Sequence, residues 1–101
     1  MIIYVDIDET ICYYDDPNNR EYTLAKPHVE RIQKINNLYD EGNTIVYWTA
    51  RGTKTGLKWF HVTMSQLTQW KCKYHELKMG KPNYDLFIDD KNVHSEAFFS
   101  Q

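Results

Sequence analysis

The sequence predicts an open α/β fold, in which a parallel sheet is flanked by helices, and two observations carry that prediction. First, apolar runs rich in β-branched residues alternate with helical patterns in the order strand, helix, strand, helix, strand, strand. Second, polar side chains follow the strands, at the carboxyl ends that form the ligand-binding edge of such sheets. These residues are Asp6, Asp8, Thr49, Asp89 and Asp90. We expect them to form one site.

The first predicted strand ends in two carboxylates. The run from Ile2 to Ile7 is almost entirely β-branched or aromatic, which suits a strand covered on both faces. Asp6 and Asp8 lie at or just past its end, and the two-residue period of a strand aims both side chains to the same side. Two close carboxylates repel each other unless a cation neutralises them, and Mg²⁺ prefers such oxygen ligands. An isolated Asp-x-Asp is more often an acidic turn, but the downstream residues reverse that preference.

A short hairpin is predicted directly after the acidic pair. Ile11–Tyr14 and Tyr22–Ala25 are strand-like and flank the turn-rich polar tip Asp15–Glu21. We interpret this segment as a β-hairpin flap that could hang over a ligand bound at the acidic pair. An ordinary surface hairpin is the alternative, and the sequence hardly separates the two.

Two amphipathic helices are predicted on either side of the second strand. A proline suits a first helical position and a glycine suits a stop, so the first helix is expected over Pro27–Glu41. Thr44–Thr49 is the second buried strand. After a polar loop at Thr53–Gly56, apolar residues at helical spacing predict a helix over Leu57–Trp70.

The last part of the chain contains shorter elements. In order, they are a weak third strand at Tyr74–Leu77, a break at Gly80–Asn83, an apolar strand at Leu86–Ile88 that runs into Asp89 and Asp90, and a last helical turn or two at Val93–Phe99. A chain of 101 residues with no repeat or linker is predicted to be one domain, residues 1–101.

Composition narrows the possible partners. The net charge of -2 and the pI near 6.0 disfavour nucleic acid, whose binders usually display a basic patch. Cys12 and Cys72 lack metal-binding spacing and are expected to be reduced packing thiols. Met1 leads directly into the first strand, and no apolar run reaches membrane-spanning length. We therefore expect a cytoplasmic protein that has no membrane partner.

Four separate elements supply carboxylates, a hydroxyl, a lysine and more carboxylates, in that order. This arrangement resembles the haloacid dehalogenase (HAD) superfamily of phosphohydrolases. The matching motifs are Asp6–Thr10, Thr49, Lys81 within Gly80–Pro82, and Asp89–Asp90. Each motif is weak by itself, but the set is specific when it occurs in this order at the ends of strands.

The resemblance implies a role for each catalytic candidate. Asp6 would be the nucleophile that forms an aspartyl-phosphate, and Asp8 would be the general acid and base. Thr49 would donate its hydroxyl to a phosphoryl oxygen, and Lys81 would place a positive charge beside the nucleophile, so both would also bind the substrate.

The resemblance also implies a Mg²⁺ cofactor. Its ligands would be Asp6, the backbone carbonyl of Asp8, and one of the pair Asp89 and Asp90. Asp89 is preferred because it directly follows the predicted strand. Glu9 stands where many family members have glycine, and its role is not evident from the sequence.

Arg51 is the candidate outside the four motifs. It closely follows Thr49, and its planar guanidinium suits a phosphate or a sugar carboxylate, so we predict substrate binding. A surface arginine paired with a flap carboxylate is an alternative of equal weight.

No cap domain is predicted, whereas many relatives carry one. The chain is most similar to the capless HAD phosphatases of sugar-acid and capsule biosynthesis, which are tetramers in which a neighbour helps to close the site. This similarity implies a phosphomonoesterase for a small phosphorylated metabolite, such as a sugar or sugar acid, and a homo-oligomer, either a dimer or a tetramer.

Two alternatives stay open. The residues around Asp89 and Asp90 are also similar to the phosphatase half of polynucleotide kinase-phosphatases, so a nucleic-acid or nucleotide end phosphatase is the second enzymatic reading. A non-catalytic metal-binding or phosphoacceptor module is the third. A receiver domain is disfavoured because it places its phosphoacceptor on a later strand. Turnover discriminates an enzyme from a stably phosphorylated module.

Overall fold

The computed structural model describes residues 1–101 and contains a three-stranded parallel sheet and a separate two-stranded hairpin. In chain order the elements are β1 (Ile2–Val5), β2 (Cys12–Tyr13), a 3-10 turn (Tyr22–Leu24), β3 (Lys26–Pro27), α1 (Val29–Asp40), β4 (Thr44–Trp48), α2 (Phe60–Gln69), β5 (Glu76–Lys78) and α3 (Ser95–Phe99). The strand order of the sheet is β1-β4-β5. The predicted α/β class is therefore confirmed.

Strand β1 is buried on one face only. Val5 pairs in register with Tyr47 of β4, and both side chains lie in the core. On the other face, Ile2 is 72% exposed and Tyr4 is 50% exposed. The prediction that β1 is covered on both faces is wrong, because no layer buries the face that carries Ile2 and Tyr4. Tyr4 lies beside the Trp48 ring and accepts a hydrogen bond from Lys78 there.

The core lies between the covered face of the sheet and the helices. It combines sheet, helix and loop residues in a single cluster that excludes water. The members are Val5, Ile7, Ile11, Cys12, Ile32, Ile35, Ile45, Tyr47 and Leu67. Both cysteines are free, with Cys12 inside the cluster and Cys72 packed against it, in agreement with the prediction of packing thiols. None of the helices combines the length and apolar character needed to cross a membrane.

The predicted flap is a hairpin with a different second strand. Strand β2 pairs with β3 at Lys26–Pro27, whereas the predicted strand Tyr22–Ala25 is mostly a 3-10 turn. Pro27 therefore lies in the hairpin and not in α1, which begins two residues later at Val29. Proline lacks the N–H that a central strand would donate to a neighbour. The edge strand β3 can contain it because no second neighbour needs that hydrogen bond.

The second half of the chain differs from its prediction at two places. Helix α2 begins at Phe60 and not at Leu57, because the loop before it continues through a turn in which the Gly56 N–H donates to the Gly52 carbonyl. The predicted strand Leu86–Ile88 is wrong: this segment has no regular structure and is exposed. A run of three apolar residues flanked by polar ones offers few ladder hydrogen bonds. The helical prediction near the end is confirmed by α3.

A buried asparagine connects α1 to the turn that follows α2. The Asn36 side chain donates to the Lys71 carbonyl at 2.9 Å and accepts from the Lys73 N–H at 2.8 Å. Lys71 has a left-handed φ of 61°, so this turn needs support from outside its own backbone. Asn36 provides that support and so fixes the path from α2 to β5.

We expect Asn36→Ala to lower the free energy of unfolding by about 1–3 kcal/mol, because it leaves two partly buried backbone groups without partners. Asn37→Ala is the matched control. Asn37 is the next residue in α1, and its side chain is exposed and hydrogen-bonds only to Gln33. Urea denaturation of both variants checks the result. Equal midpoints for the two variants would contradict this role of Asn36.

Candidate active site

The carboxyl ends of the three parallel strands bring the first three motifs to one edge of the sheet. Asp6 directly follows β1 and Thr49 directly follows β4. The Thr49 N–H donates to the Lys78 carbonyl at 3.0 Å, and the Lys81 N–H donates to the Thr49 carbonyl at 3.0 Å. The Thr53 hydroxyl also donates to the Lys81 carbonyl, at 2.8 Å. Lys81 is thus positioned by backbone contacts although no strand contains it.

Asp6 is the most accessible carboxylate at this edge. Its side chain is 35% exposed. Oδ1 lies 3.2 Å from the Lys81 ammonium nitrogen, and Oδ2 accepts a 3.1 Å hydrogen bond from the Thr10 hydroxyl. The two donors fix the orientation of the carboxylate while leaving part of it exposed to solvent, as a nucleophile requires.

Lys81 is a charged group in a partly enclosed environment. Burial alone favours the neutral amine, but the charge of Asp6 and the nearby Tyr84 outweigh burial and raise the pKa of Lys81. The aromatic rings of Trp48 and Tyr84 lie 6.0 Å and 5.5 Å from its nitrogen. The ammonium group is therefore a fixed positive charge beside Asp6.

Asp8 is held much more tightly than Asp6. Its Oδ2 accepts from Arg51 Nε at 3.0 Å, and its Oδ1 accepts from Arg51 Nη2 at 2.9 Å, so the pair is bidentate. Oδ1 also accepts from the Tyr14 hydroxyl at 2.6 Å and from the Cys12 thiol at 3.4 Å. Burial by itself would raise the pKa of Asp8, but the hydrogen bonds and charge of Arg51 outweigh it and hold that pKa below its usual value.

Arg51 is not a surface residue. Its side chain is 0% exposed, and the remaining nitrogen, Nη1, donates to Thr63 Oγ1 at 3.2 Å and to Gln66 Oε1 at 2.5 Å. The alternative that Arg51 pairs with a flap carboxylate at the surface is therefore wrong. Four of its five N–H groups donate to protein groups, so at most one proton, on Nη2, is left for a substrate unless one of these bonds breaks.

The Thr49 hydroxyl has one hydrogen-bonding capacity left. Thr49 is buried, and its Oγ1 accepts from the Arg51 N–H at 3.1 Å. Its own proton has no acceptor among the hydrogen bonds of the protein. A phosphoryl oxygen placed at the edge of the sheet is an acceptor of the right kind.

Asp6, Asp8, Thr49 and Arg51 border a cleft of about 450 Å³, whereas Lys81 is not among its lining residues. Two carboxylates and Thr49 line it together with aromatic and apolar side chains and with four further polar or charged side chains. The lining residues are Asp6, Asp8, Tyr22, Thr49, Ala50, Arg51, Gly52, Lys54, Thr55, Leu57, Trp59 and Asn83. The cleft has the size of a small-molecule site.

The structure does not bring the fourth motif to the cleft. Asp89 and Asp90 are exposed and follow the segment Leu86–Ile88 that was predicted as a strand, and Asp89 Oδ2 accepts from the Lys91 N–H at 3.3 Å. No three His, Cys, Asp or Glu side chains lie close enough together to hold a metal ion. Neither Asp89 nor Asp90 lines the cleft that Asp6 and Asp8 border, so the predicted magnesium ligands are not brought together there.

Glu9 occupies a position that favours glycine. Its φ is 62°, in the left-handed region, and the turn around it is closed by N–H donation from Thr10 and Ile11 to the Ile7 carbonyl. The Glu9 side chain points toward the flap tip, with one oxygen 3.7 Å from Arg20. The turn geometry explains why glycine suits this position, and it assigns no chemistry to Glu9.

Sequence reasoning missed several residues that surround the site. Their common feature is that they contact Asp8 or Arg51 from distant parts of the chain. They are Tyr14, Tyr22, Thr63 and Gln66. The only available signal was in α2, where two polar side chains, Thr63 and Gln66, stand on the same side as the apolar Leu67. Polar residues on the inner side of a helix need buried partners.

Comparison with known proteins adds the fold and no function. No family model matches the chain, and no curated protein matches it. A crystal structure of a target protein from Vibrio cholerae is similar, with a TM-score of 0.85 and 24% identity over 99% of this chain and 88% of that one. At this identity the likeness shows the fold alone, an α/β fold with a parallel sheet flanked by helices.

Proposed function

We propose that the protein is a phosphomonoester hydrolase of the HAD type that uses an aspartyl-phosphate intermediate. The observation that carries this proposal is the environment of Asp6. A partly exposed carboxylate at the end of β1 is oriented by Lys81 and Thr10, and it borders a cleft into which Thr49 can donate its free proton. A nucleophile, a cation and a hydroxyl donor at one edge are the parts that phosphoryl transfer to a carboxylate needs.

In the proposed reaction an Asp6 oxygen attacks phosphorus, and the bond from phosphorus to the ester oxygen breaks. Lys81 and Thr49 would stabilise the charge on the phosphoryl oxygens. Asp8 would give a proton to the departing oxygen and take one from the water that then hydrolyses the aspartyl-phosphate, so it ends the cycle as it began. This cycle starts and ends with protonated Asp8. The pairing with Arg51 lowers the pKa of Asp8 and so favours its ionised form, and Asp8 must therefore take up a proton from solvent before the first turnover.

The magnesium requirement stays a prediction. It needs Asp89 or Asp90 to approach Asp6, and neither residue lines the cleft that Asp6 borders. When bound, Mg²⁺ would reduce the repulsion between an anionic nucleophile and an anionic phosphate.

EDTA is expected to stop phosphate release and Mg²⁺ to restore it, with Ca²⁺ substituting poorly because its longer and looser coordination disturbs in-line geometry. Asp89→Asn and Asp90→Asn identify the ligand, since the variant that removes it should need at least about tenfold more Mg²⁺ for half-maximal activity. Full activity in metal-free buffer would contradict the metal requirement while leaving the carboxylate chemistry intact.

The proposed substrate is a small phosphorylated metabolite, such as a sugar or sugar-acid phosphate. The volume of the cleft and the acidic balance of the chain favour it over an oligonucleotide. The exposed apolar face at Ile2 and Tyr4 supports the further proposal of a homo-oligomer. Light scattering at working concentration tests this, and a monomer would contradict it.

A panel of phosphate esters tests the proposed function. Sugar phosphates, nucleotides, 3′-phosphorylated oligonucleotides and aryl phosphates are each incubated with the protein and Mg²⁺, and released phosphate is measured. Release from small esters supports the proposal. A salt-sensitive preference for the oligonucleotides would favour the nucleic-acid alternative. A stably phosphorylated protein without turnover would favour the phosphoacceptor module.

A further inference from the structure

We infer that Arg51 is a positioning residue that links the flap to Asp8. The inference rests on contacts that converge on one guanidinium group from opposite directions. On one side, Arg51 binds both oxygens of Asp8. On the other side, it stacks over the Tyr22 ring of the flap, with its central carbon 4.8 Å from the ring centroid.

The flap side of this link has three contacts. Besides stacking on Arg51, the Tyr22 ring meets the Trp59 ring edge-on, with centroids 5.0 Å apart. The Tyr22 carbonyl accepts a 2.7 Å hydrogen bond from Gln66 Nε2, and Gln66 Oε1 in turn accepts from Arg51. The 3-10 turn of the flap is therefore docked on α2 through Arg51 and its partner Gln66.

The Asp8 side of the link is rigid. Asp8 Oδ1 also accepts from Tyr14, which follows β2 of the same hairpin. The flap therefore touches Asp8 directly through Tyr14 and indirectly through Tyr22 and Arg51. Because a planar guanidinium donates in fixed directions, a displacement of Arg51 reorients the Asp8 carboxylate.

In this arrangement the flap does more than cover a bound ligand, because it also helps to orient Asp8. The Arg51 guanidinium contacts Tyr22 of the flap and also orients Asp8, so movement of the flap and the orientation of Asp8 are coupled. Coupling between two groups is reciprocal. A substitution in the flap alone is therefore expected to change the orientation of the Asp8 carboxylate.

The test changes the flap side and reads the Asp8 side. Tyr22→Leu removes the ring over Arg51 without leaving a buried charge unpaired. Leu24→Ala is the matched control, because Leu24 lies in the same 3-10 turn and is 49% exposed. Hydrogen exchange of the Arg51 Nε proton is followed by NMR, with the Arg31 Nε proton as an internal reference. The Arg51 Nε proton is hydrogen-bonded to Asp8, so its exchange rate reports on the ion pair between Arg51 and Asp8.

We expect Tyr22→Leu to accelerate exchange at Arg51 at least about fivefold and Leu24→Ala to leave it unchanged. Unchanged exchange in Tyr22→Leu, or equal acceleration in both variants, overturns the link. This readout needs no turnover, so it decides the inference even if the proposed function fails.

The activity readout rests on the proposed function. With an aryl phosphate, Tyr22→Leu is expected to lower kcat, because loss of the ring disturbs the Arg51 group that orients Asp8. Any change in KM reports separately on the place of Tyr22 in the lining of the cleft. In Arg51→Ala, added guanidinium ion is expected to restore part of kcat, and methylammonium ion is not. If the wild type turns over, an unchanged kcat in Tyr22→Leu overturns the positioning role. If Arg51→Ala does not fold, Tyr22→Leu decides by itself.

Discussion

Asp6→Asn is expected to abolish phosphate release while leaving the fold intact. The amide has nearly the same shape as the carboxylate and still accepts from Thr10, but it is a poor nucleophile and cannot form an aspartyl-phosphate. Loss of the nucleophile should lower kcat by at least about 10³-fold. Single-turnover release from an aryl phosphate is the measurement.

The structure also predicts what Asp6→Asn does not change. Its ion pair with Lys81 is partly exposed, so its loss should alter the free energy of unfolding by no more than about 1 kcal/mol. Thermal unfolding therefore separates lost chemistry from lost structure. Asp40→Asn is the control for activity, because Asp40 pairs only with Lys73 at the surface. Release at the wild-type rate by Asp6→Asn would remove Asp6 from its proposed role.

Periodicity predicted those parts of the fold in which local sequence and tertiary packing agree. Helix α1 and strand β4 fall within two residues of their predicted limits, because the inner residues of α1 recur at helical spacing and β4 is buried through most of its length. That Asp6 and Thr49 lie at one edge was also predictable, since both follow parallel strands. Lys81 was placed there by the family resemblance alone, because β5 ends at Lys78.

The failures occur where a contact between distant segments decides the outcome. Leu86–Ile88 has a strand-like composition, but composition cannot show whether a neighbouring edge will pair with it. Burial of Arg51 depends on Asp8 and on two polar side chains of α2, Thr63 and Gln66, which lie 12 and 15 residues further along the chain. A sequence pattern read locally treats such an arginine as exposed, because charged residues are rarely buried without partners.

The same network changes the expectation for Asp8. The family resemblance implies that Asp8→Asn retains magnesium binding and loses most activity, because the amide cannot exchange protons. The structure adds a cost in stability: the Arg51 side chain is fully buried, and the substitution leaves it without a counter-charge. Breaking one partner of a buried pair costs about 3–5 kcal/mol, and Asp8 is 26% exposed, so we expect the lower end of that range.

Asp8→Asn is therefore expected to lower kcat strongly and to lower the free energy of unfolding by about 3 kcal/mol. Asp40→Asn makes the same chemical change in an exposed ion pair, where the expected loss is below about 1 kcal/mol. Urea denaturation of the two variants, with activity measured well below the unfolding midpoint, separates the two effects.

Equal stability losses would contradict a buried charge pair between Asp8 and Arg51. Activity of Asp8→Asn within a few-fold of wild type would contradict the acid and base role, because no neighbouring carboxylate of the cleft other than Asp6 could replace it.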